Sequence, residues 1–284
     1  LRDRRVIPHI RLRKLIREAL EEDIGSGDVT TLAVLTGDET GTAEASAKED
    51  IIVAGIDIFR EVFLLTDKEI QFLPERKDGQ SVNKSGVIAH ISGKLASILS
   101  AERVALNIFQ RMCGIATLTK KYVDRISGTK AKILDTRKTM PGLREFDKYA
   151  VKIGGGYNHR MGLYGGVLIK DNHISAAGGI SNAVDRALNN IPPALKVEVE
   201  VKNVKEVEEA LSAGVDIIML DNMTPDDMKQ AVSLINGKAL IEASGGVTLS
   251  NVRDYAETGV DFISIGAITH SAPAADISLN IVSR

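Results

Sequence analysis

The chain has 284 residues, 44% hydrophobic and 26% charged, with a formal net charge of −2. That is enough for one large domain or two ordinary ones around a sizeable core. It excludes a globally basic nucleic-acid binder, and with no Trp and 4% aromatic residues there is little material for stacking bases.

No apolar run approaches the ~20 residues of a membrane span. The opening "LRDRRVIPHIRLRKLI" is basic but lacks the apolar region of a secretory signal. The single Cys113 has no partner for an internal disulfide, which suits a reducing cytoplasm, and its helical setting "RMCGIA" points to a buried, inert thiol.

In chain order, Leu12, Leu15, Ile16, Leu20 and Ile24 fall on one face and predict a helix over 11–24. After the turn cluster "GSGDVTT" come short apolar or alternating runs: "GTAEASAKED", "IIVAGID", "EIQFLP" and "SVNKSGVIAHISG". Ser, Thr, Gly and Asp separate them, which predicts a mostly antiparallel sheet with a helix over "GIDIFREVFLLT". A long helical stretch follows, "KLASILSAERVALNIFQRMCGIATLTKKYVDRISG", with Gly114 as a candidate interruption.

From about residue 130 the rhythm changes. "AKILDTRK", "GGVLIKDNHI", "LKVEVEVKN", "DIIMLDNM", "ALIEASGGV" and "DFISIGAI" are mostly continuous apolar runs, as in a sheet buried on both faces. The helical patterns "NAVDRALNN", "NVKEVEEALSAG", "PDDMKQAVSLING" and "LSNVRDYAETG" lie between them. Alternation of this kind predicts a parallel α/β sheet with right-handed crossovers, open or closed into a barrel.

Polarity sits at the strand ends: Asp135, Arg137 and Lys138; Lys170 and Asp171; Glu200; Asp221 and Asn222; Glu242 and Ser244; Gly266. In a (β/α) barrel those ends converge on one mouth, so six in succession point to an enzyme site. Arg137, Lys138, His159, Arg160 and Lys170 form a basic set suited to carboxylates or phosphates. The "GGGYNHR" stretch reads as flexible backbone delivering His159 and Arg160 to an anion. Glu200, Asp221 and Glu242 form an acidic set suited to Mg²⁺. Small residues at the last two strand ends, Ser244, Gly245, Gly246 and Gly266, let backbone amides approach a phosphate.

Blander readings compete. Glu198 shares a face with Glu200 in "KVEVEV", and the spacing allows it a structural part. "DKYAVK" and "RLRKLIREALEED" read as solvated helix faces. Lys170 also fits a Schiff-base lysine of an aldolase, and a non-catalytic phosphate-binding barrel is the remaining alternative.

Several stretches together, "EEDIGSGDVTT", "ERVALNIFQRMCGIAT", "DTRKTMPGLREFDKYAVKIGGGYNHRMGL", "IKDNHI", "EVEV", "LDNM", "EASGG" and "SIGAITHSAPAADISL", resemble the quinolinate phosphoribosyltransferases, nearly end to end. A related phosphoribosyltransferase associated with molybdate transport shares much of the pattern. The resemblance implies phosphoribosyl transfer from phosphoribosyl pyrophosphate to quinolinate with loss of CO₂, on the route to NAD. It implies an N-terminal α/β sandwich domain over residues 1–112 and an open (β/α) barrel over 113–270, with the tail 271–284 returning to the first domain. It assigns Arg137, His159, Arg160 and Lys170 to a dicarboxylate pocket, with Arg103 supplied by the neighbouring subunit of a homodimer or larger assembly. Glu200 and Asp221 are implied as holding Mg²⁺ and the ribose hydroxyls, Lys138 as a phosphoribosyl pyrophosphate contact, and Ser244, Gly245, Gly266 and His270 as the 5′-phosphate cradle.

Overall fold

A computed structural model describes residues 9–283, which divide into two compact units. The first comprises the described residues up to Lys120, Thr139–Gly155 and the described residues from Ile268 on; the second comprises Lys121–Lys138 and Gly156–Ala267. The expected boundary at 112/113 falls inside a continuous helix, and the first unit takes up an internal segment that no change of composition marks.

The first unit opens with α1 (His9–Ile24) and α2 (Val29–Val34). Leu12, Ile16 and Leu20 are buried at four-residue spacing, which gives α1 its inward face. Then come β1 (Thr40–Ala47), β2 (Ile51–Ile52), α3 (Ile56–Thr66), β3 (Gln71–Pro74), β4 (Ser81–Val82), β5 (Val87–Lys94) and α4 (Leu95–Arg125). The main sheet is antiparallel, and its fourth strand comes from the far end of the chain: β12 (Ile277–Ser283) lies beside β1 in the order β12-β1-β5-β3. Ala43, Ala45 and Ala47 on β1 are fully buried, and small side chains at these alternating positions let bulkier neighbours fill the layer. Phe59 of α3 stacks on Phe109 of α4 at 4.6 Å and meets Phe72 of β3 edge-on at 5.8 Å.

Gly114 does not interrupt α4. A methyl group there would collide with the Pro273 carbonyl, so this glycine serves a close approach of the returning tail. The reading of "DKYAVK" as a solvated face is also corrected. It lies in α5 (Arg144–Ile153), where Asp147 and Lys148 are fully buried and Asp147 accepts two hydrogen bonds from Arg111, each 2.8 Å. "RLRKLIREALEED" is mixed: Leu12, Ile16 and Leu20 are buried and Leu15 and Ala19 are half-buried, while Arg13 pairs with Glu61 at 2.6 Å.

The second unit holds all six strands expected after residue 130: β6 (Lys132–Leu134), β7 (Val167–Ile169), β8 (Val197–Val201), β9 (Ile217–Asp221), β10 (Leu240–Ser244) and β11 (Phe262–Ser264). The connecting helices are α6 (Asp171–Ala177), α7 (Ile180–Asn190), α8 (Val204–Ser212), α9 (Pro225–Ile235) and α10 (Val252–Glu257); the one-turn α11 (Ala267–His270) starts at the last residue of this unit and otherwise belongs to the first. Their starts follow local chemistry. Asn203 caps α8 by accepting the Glu206 amide, and Thr224 caps α9 with Pro225 in the first turn. The parallel sheet runs β6-β11-β10-β9-β8-β7, so β6 and β7 are both edges and the barrel is open between them. All five residues of β8 are buried although "VEVEV" alternates apolar and acidic residues, so both faces of the strand are covered and the glutamates lie on an interior face.

The two "GVD" stretches fasten the N-terminal ends of the strands. Asp216 accepts the Val197 amide at 2.8 Å, and Asp261 accepts the Ile241 amide at 2.9 Å. Charge at that end therefore serves the scaffold, and the opposite end is left for chemistry. No helix among the described residues is long and apolar enough to cross a membrane.

Candidate active site

The stretch "GGGYNHR" lines the opening of the barrel. A side chain at Gly154 would meet the Ala116 carbonyl at 2.5 Å and Thr119 at 2.7 Å, and Gly155 has φ +91°, a region costly for other residues. Tyr157 then runs beside β6 as a one-residue parallel bridge. Its amide donates to the Ile133 carbonyl at 2.8 Å, and its carbonyl accepts from the Asp135 amide at 3.1 Å. Asp135, fully buried at the end of β6, accepts the His159 amide at 2.9 Å and the Asn158 side-chain amide at 2.5 Å. The loop is thus pinned to the strand end, and the glycines serve its path more than its mobility.

The His159 ring points into the barrel. Nδ1 accepts the Arg160 backbone N–H at 2.8 Å, and Nε2 lies 3.1 Å from Glu198 and 3.6 Å from Glu242. An amide N–H only donates, so Nδ1 holds a lone pair and the ring proton is on Nε2, facing the carboxylates. The sequence reading counted His159 as positive charge facing an anion; here both ring nitrogens face groups of the chain itself. Glu242 is almost wholly buried, and burial, followed by the neighbouring Glu198 carboxylate, pushes its carboxyl up to about 8. One oxygen each of Glu198 and Glu242 has no hydrogen-bond partner among the described residues.

The remaining basic residues behave differently. Arg160 is partly buried and donates to the Gly166 carbonyl at 3.0 Å. Its guanidinium is held below its ordinary value by burial first and by the nearby Arg137 cation second. Among the described residues no carboxylate forms an ion pair with Arg137 or Arg160. Lys170 sits between β7 and α6 and is ion-paired with Glu200 across to β8. That is not the desolvated apolar setting a Schiff-base lysine requires.

Asp221 ends β9, half-buried, and accepts the Asn222 side-chain amide at 2.8 Å. Asn222 adopts φ +54°, turning the chain out of the strand, and its backbone N–H donates to the Ser244 carbonyl at 2.8 Å. Gly245 and Gly246 follow with φ +90° and +63°, and a methyl on Gly245 would strike the Asn222 side chain. The backbone at the ends of β9 and β10 is therefore tightly folded and nearly free of side chains, as close approach to a phosphate requires. Ser244 and Gly266 are partly exposed at neighbouring strand ends, and Lys138 is exposed after β6.

The structure brings Arg137, His159, Arg160, Lys170, Glu200, Asp221, Ser244, Gly245, Gly246 and Gly266 into one unit, with Lys138 as the last residue of that unit's first segment. Arg103 and His270 belong to the other unit: Arg103 is exposed on α4, and His270 is exposed in α11 with Nδ1 at 2.5 Å from the Ser271 hydroxyl. Residues 28–113 match the family model described as quinolinate phosphoribosyl transferase, N-terminal domain, and residues 115–280 match the one described as its C-terminal domain.

The chain belongs to the quinolinate phosphoribosyltransferase family.

An Arabidopsis thaliana protein named nicotinate-nucleotide pyrophosphorylase (carboxylating), chloroplastic, is 48% identical over 96% of this chain and 84% of its own length. The structure of the nicotinate-nucleotide pyrophosphorylase from Francisella tularensis superposes with a TM-score of 0.93 at 44% identity, covering 97% of this chain and 98% of that one. The enzyme of the same name from Ehrlichia chaffeensis gives 0.92 at 43% identity, covering 97% and 99%.

As a quinolinate phosphoribosyltransferase-family barrel, the molecule shows three features that residue-type reasoning missed. Asp135 anchors the loop rather than facing the mouth, Asn158 is its second tie, and Glu198 with Glu242 closes on a histidine. The signal for the last was present, since "VEVEV" and "IEAS" place carboxylates on inward strand positions, where they need partners.

Proposed function

We propose that this chain transfers the phosphoribosyl group of phosphoribosyl pyrophosphate to quinolinate and removes the 2-carboxylate. The products are nicotinate mononucleotide, pyrophosphate and CO₂, in NAD biosynthesis. The observation that carries this reading is the Arg137–Arg160 pair, two neighbouring guanidiniums with no carboxylate ion-paired to them among the described residues, one of them partly desolvated, with Lys170 at the next strand end. Mutually repelling cations kept at a barrel mouth suit a small dianion. Membership of a family described by its action on quinolinate supports the same substrate.

The ring nitrogen of quinolinate attacks C1 of the ribose, and the C1–oxygen bond to pyrophosphate breaks. The pyridine nitrogen becomes cationic and serves as the electron sink when the 2-carboxylate leaves as CO₂; a proton takes its place. Arg137 and Arg160 hold the dicarboxylate and orient the nitrogen, which lowers the entropic part of the barrier. Lys138 adds a point charge for the leaving pyrophosphate. The folded backbone at Ser244, Gly245, Gly246 and Gly266 takes the 5′-phosphate. Glu200 and Asp221 are carboxylates on neighbouring strand ends, the oxygen donors Mg²⁺ favours, and would hold it together with substrate oxygens. When bound, Mg²⁺ supplies charge compensation for the departing pyrophosphate. The Lys170 ammonium pairs with Glu200, and the reading requires that pair to separate as substrates enter.

The test is an assay with phosphoribosyl pyrophosphate and Mg²⁺ that follows CO₂ and pyrophosphate. Quinolinate is expected to turn over, and nicotinate to react up to ~10⁴-fold more slowly because it leaves basic groups unpaired. Phthalate, with both carboxylates and no ring nitrogen, is expected to compete without reacting. Nicotinate turning over comparably, or phthalate failing to compete, would end the dicarboxylate assignment.

A homodimer in which Arg103 of one subunit completes the site of the other is part of the same proposal, supported by the exposure of Arg103 on α4. Arg103→Ala and Lys170→Ala are each expected to be nearly inactive. Mixed heterodimers should recover activity, because one of their two sites carries neither defect. Absence of recovery in verified heterodimers would mean that Arg103 acts within its own subunit or not at all.

A further inference from the structure

We propose that His159 is a neutral positioning residue: Glu198 and Glu242 hold its ring from below so that Nδ1 fixes the backbone of Arg160, and substrate is gripped by Arg160 rather than by the imidazole. The proposal rests on the functional reading above only for the identity of the ligand that Arg160 meets.

Three observations carry it. Both ring nitrogens are engaged inside the chain, Nδ1 by the Arg160 amide at 2.8 Å and Nε2 by Glu198 at 3.1 Å. The residue's own amide is held at 2.9 Å by Asp135, so backbone and ring are fixed from two different strands, β6 and β8. Arg160 is then tied again at its far end, where the guanidinium donates to the Gly166 carbonyl at 3.0 Å and has further N–H groups for an anion. A planar fork has to be aimed to within about 10–20° to bind a carboxylate with two parallel hydrogen bonds, and this chain of contacts supplies the aim.

The same geometry rules against a competing use of the cluster. His159, Glu198 and Glu242 offer ligand atoms within 4.8 Å of one another, close enough for a metal ion. A neutral histidine binds metal through a ring nitrogen's lone pair, and here that lone pair is on Nδ1, turned to the Arg160 amide. Nε2 carries the proton and points it at Glu198. The cluster is built to hold a ring, not an ion.

The experiment uses the full-length protein labelled with ¹⁵N-histidine. The His159 signals are assigned by their loss in His159→Gln and recorded free and saturated with phthalate. The expected result is a protonated Nε2 and an unprotonated Nδ1 in both states. Protonation of Nδ1 when phthalate binds would overturn the proposal, because the imidazole would then be a cationic ligand. Kinetics give the second arm. Glu198→Ala is expected to raise KM for quinolinate about tenfold, with KM for phosphoribosyl pyrophosphate unchanged, and Glu198→Gln, which keeps an acceptor oxygen, should restore it. Equal loss of both KM values, or a drop in melting temperature with unaltered kinetics, would reduce Glu198 to a structural residue and sink the idea. A chain with no quinolinate turnover would defeat the functional reading alone, since the ring signals are read without it.

Discussion

Each unit buries a charged constellation, and the two are built on opposite plans. In the first unit Arg111 forks onto Asp147 with two 2.8 Å hydrogen bonds and also reaches the Thr269 carbonyl at 3.1 Å, while Asp147 takes a further amide from Met140 at 3.3 Å. Both carboxylate oxygens are filled. In the second unit His159, Glu198 and Glu242 leave one carboxylate oxygen unfilled on each glutamate, and the two acids compete for one ring proton. A saturated buried pair behaves as a rivet. An unsaturated one is tolerated where something above it must be aimed, because its cost is offset by what it positions.

The largest expected effect tests the rivet. Arg111→Met leaves the fully buried Asp147 carboxylate uncompensated and should destabilise the first unit by ~3–5 kcal/mol. Chemical denaturation followed by a probe in that unit measures it, and a change below ~1 kcal/mol would remove the contrast between the two constellations. The second prediction moves to what the unsaturated cluster aims. Arg160→Lys keeps the charge but loses the fork, and should lower kcat/KM for quinolinate by ~30–150-fold, equivalent to ~2–3 kcal/mol, with the denaturation midpoint unmoved. Wild-type kinetics would place Arg160 outside the pocket.

The remaining prediction concerns Glu242 and is read as a slope against pH rather than as a single difference. Its folded carboxyl is pushed up to about 8 from an ordinary 4.5. Between those values the folded state binds the proton and the unfolded state does not, so this group's contribution to stability falls as pH rises from about 5 to about 8 and is flat above. The slope is at most ~1.4 kcal/mol per pH unit. Glu242→Gln, which is permanently neutral, should flatten this part of the stability profile. A wild-type profile already parallel to that of the variant would show that Glu242 is ionised at neutrality.

The sequence was most legible where burial is a matter of pattern. Six strand candidates, mostly continuous apolar runs, became six parallel strands, and the short alternating runs before them became antiparallel sheets, because strand placement depends on local period and turn chemistry. The polar residues at the strand ends were legible for the same reason, since topology alone brings them to one mouth. Charge burial was not. Asp147 and Lys148 look solvated in "DKYAVK" because the partner of Asp147 lies 36 residues earlier, on α4. His159 reads as an anion-facing cation because its ring contacts are set by the next residue's amide and by a glutamate 39 positions away. Gly114 reads as a helix break because nothing near it announces the tail that packs there. Each miss is a long-range contact acting on a residue whose local signal pointed elsewhere.

The gap between β6 and β7 has a consequence for how such a barrel can change over evolutionary time. Elsewhere the wall is a continuous ladder; β9 and β10 are held in register over five residue pairs, so a change of length in either would shift side chains between interior and exterior. Along the gap Leu134 and Tyr157 form the one isolated bridge among the described residues, and the chain from there to β7 carries the half-buried Arg160 and then the exposed Leu163 and Tyr164. An insertion or deletion among residues 161–165 alters no strand pairing, yet it lies within a few residues of the guanidinium proposed to meet the ligand. The seam is where a descendant could acquire a differently shaped acceptor at the smallest risk to the fold.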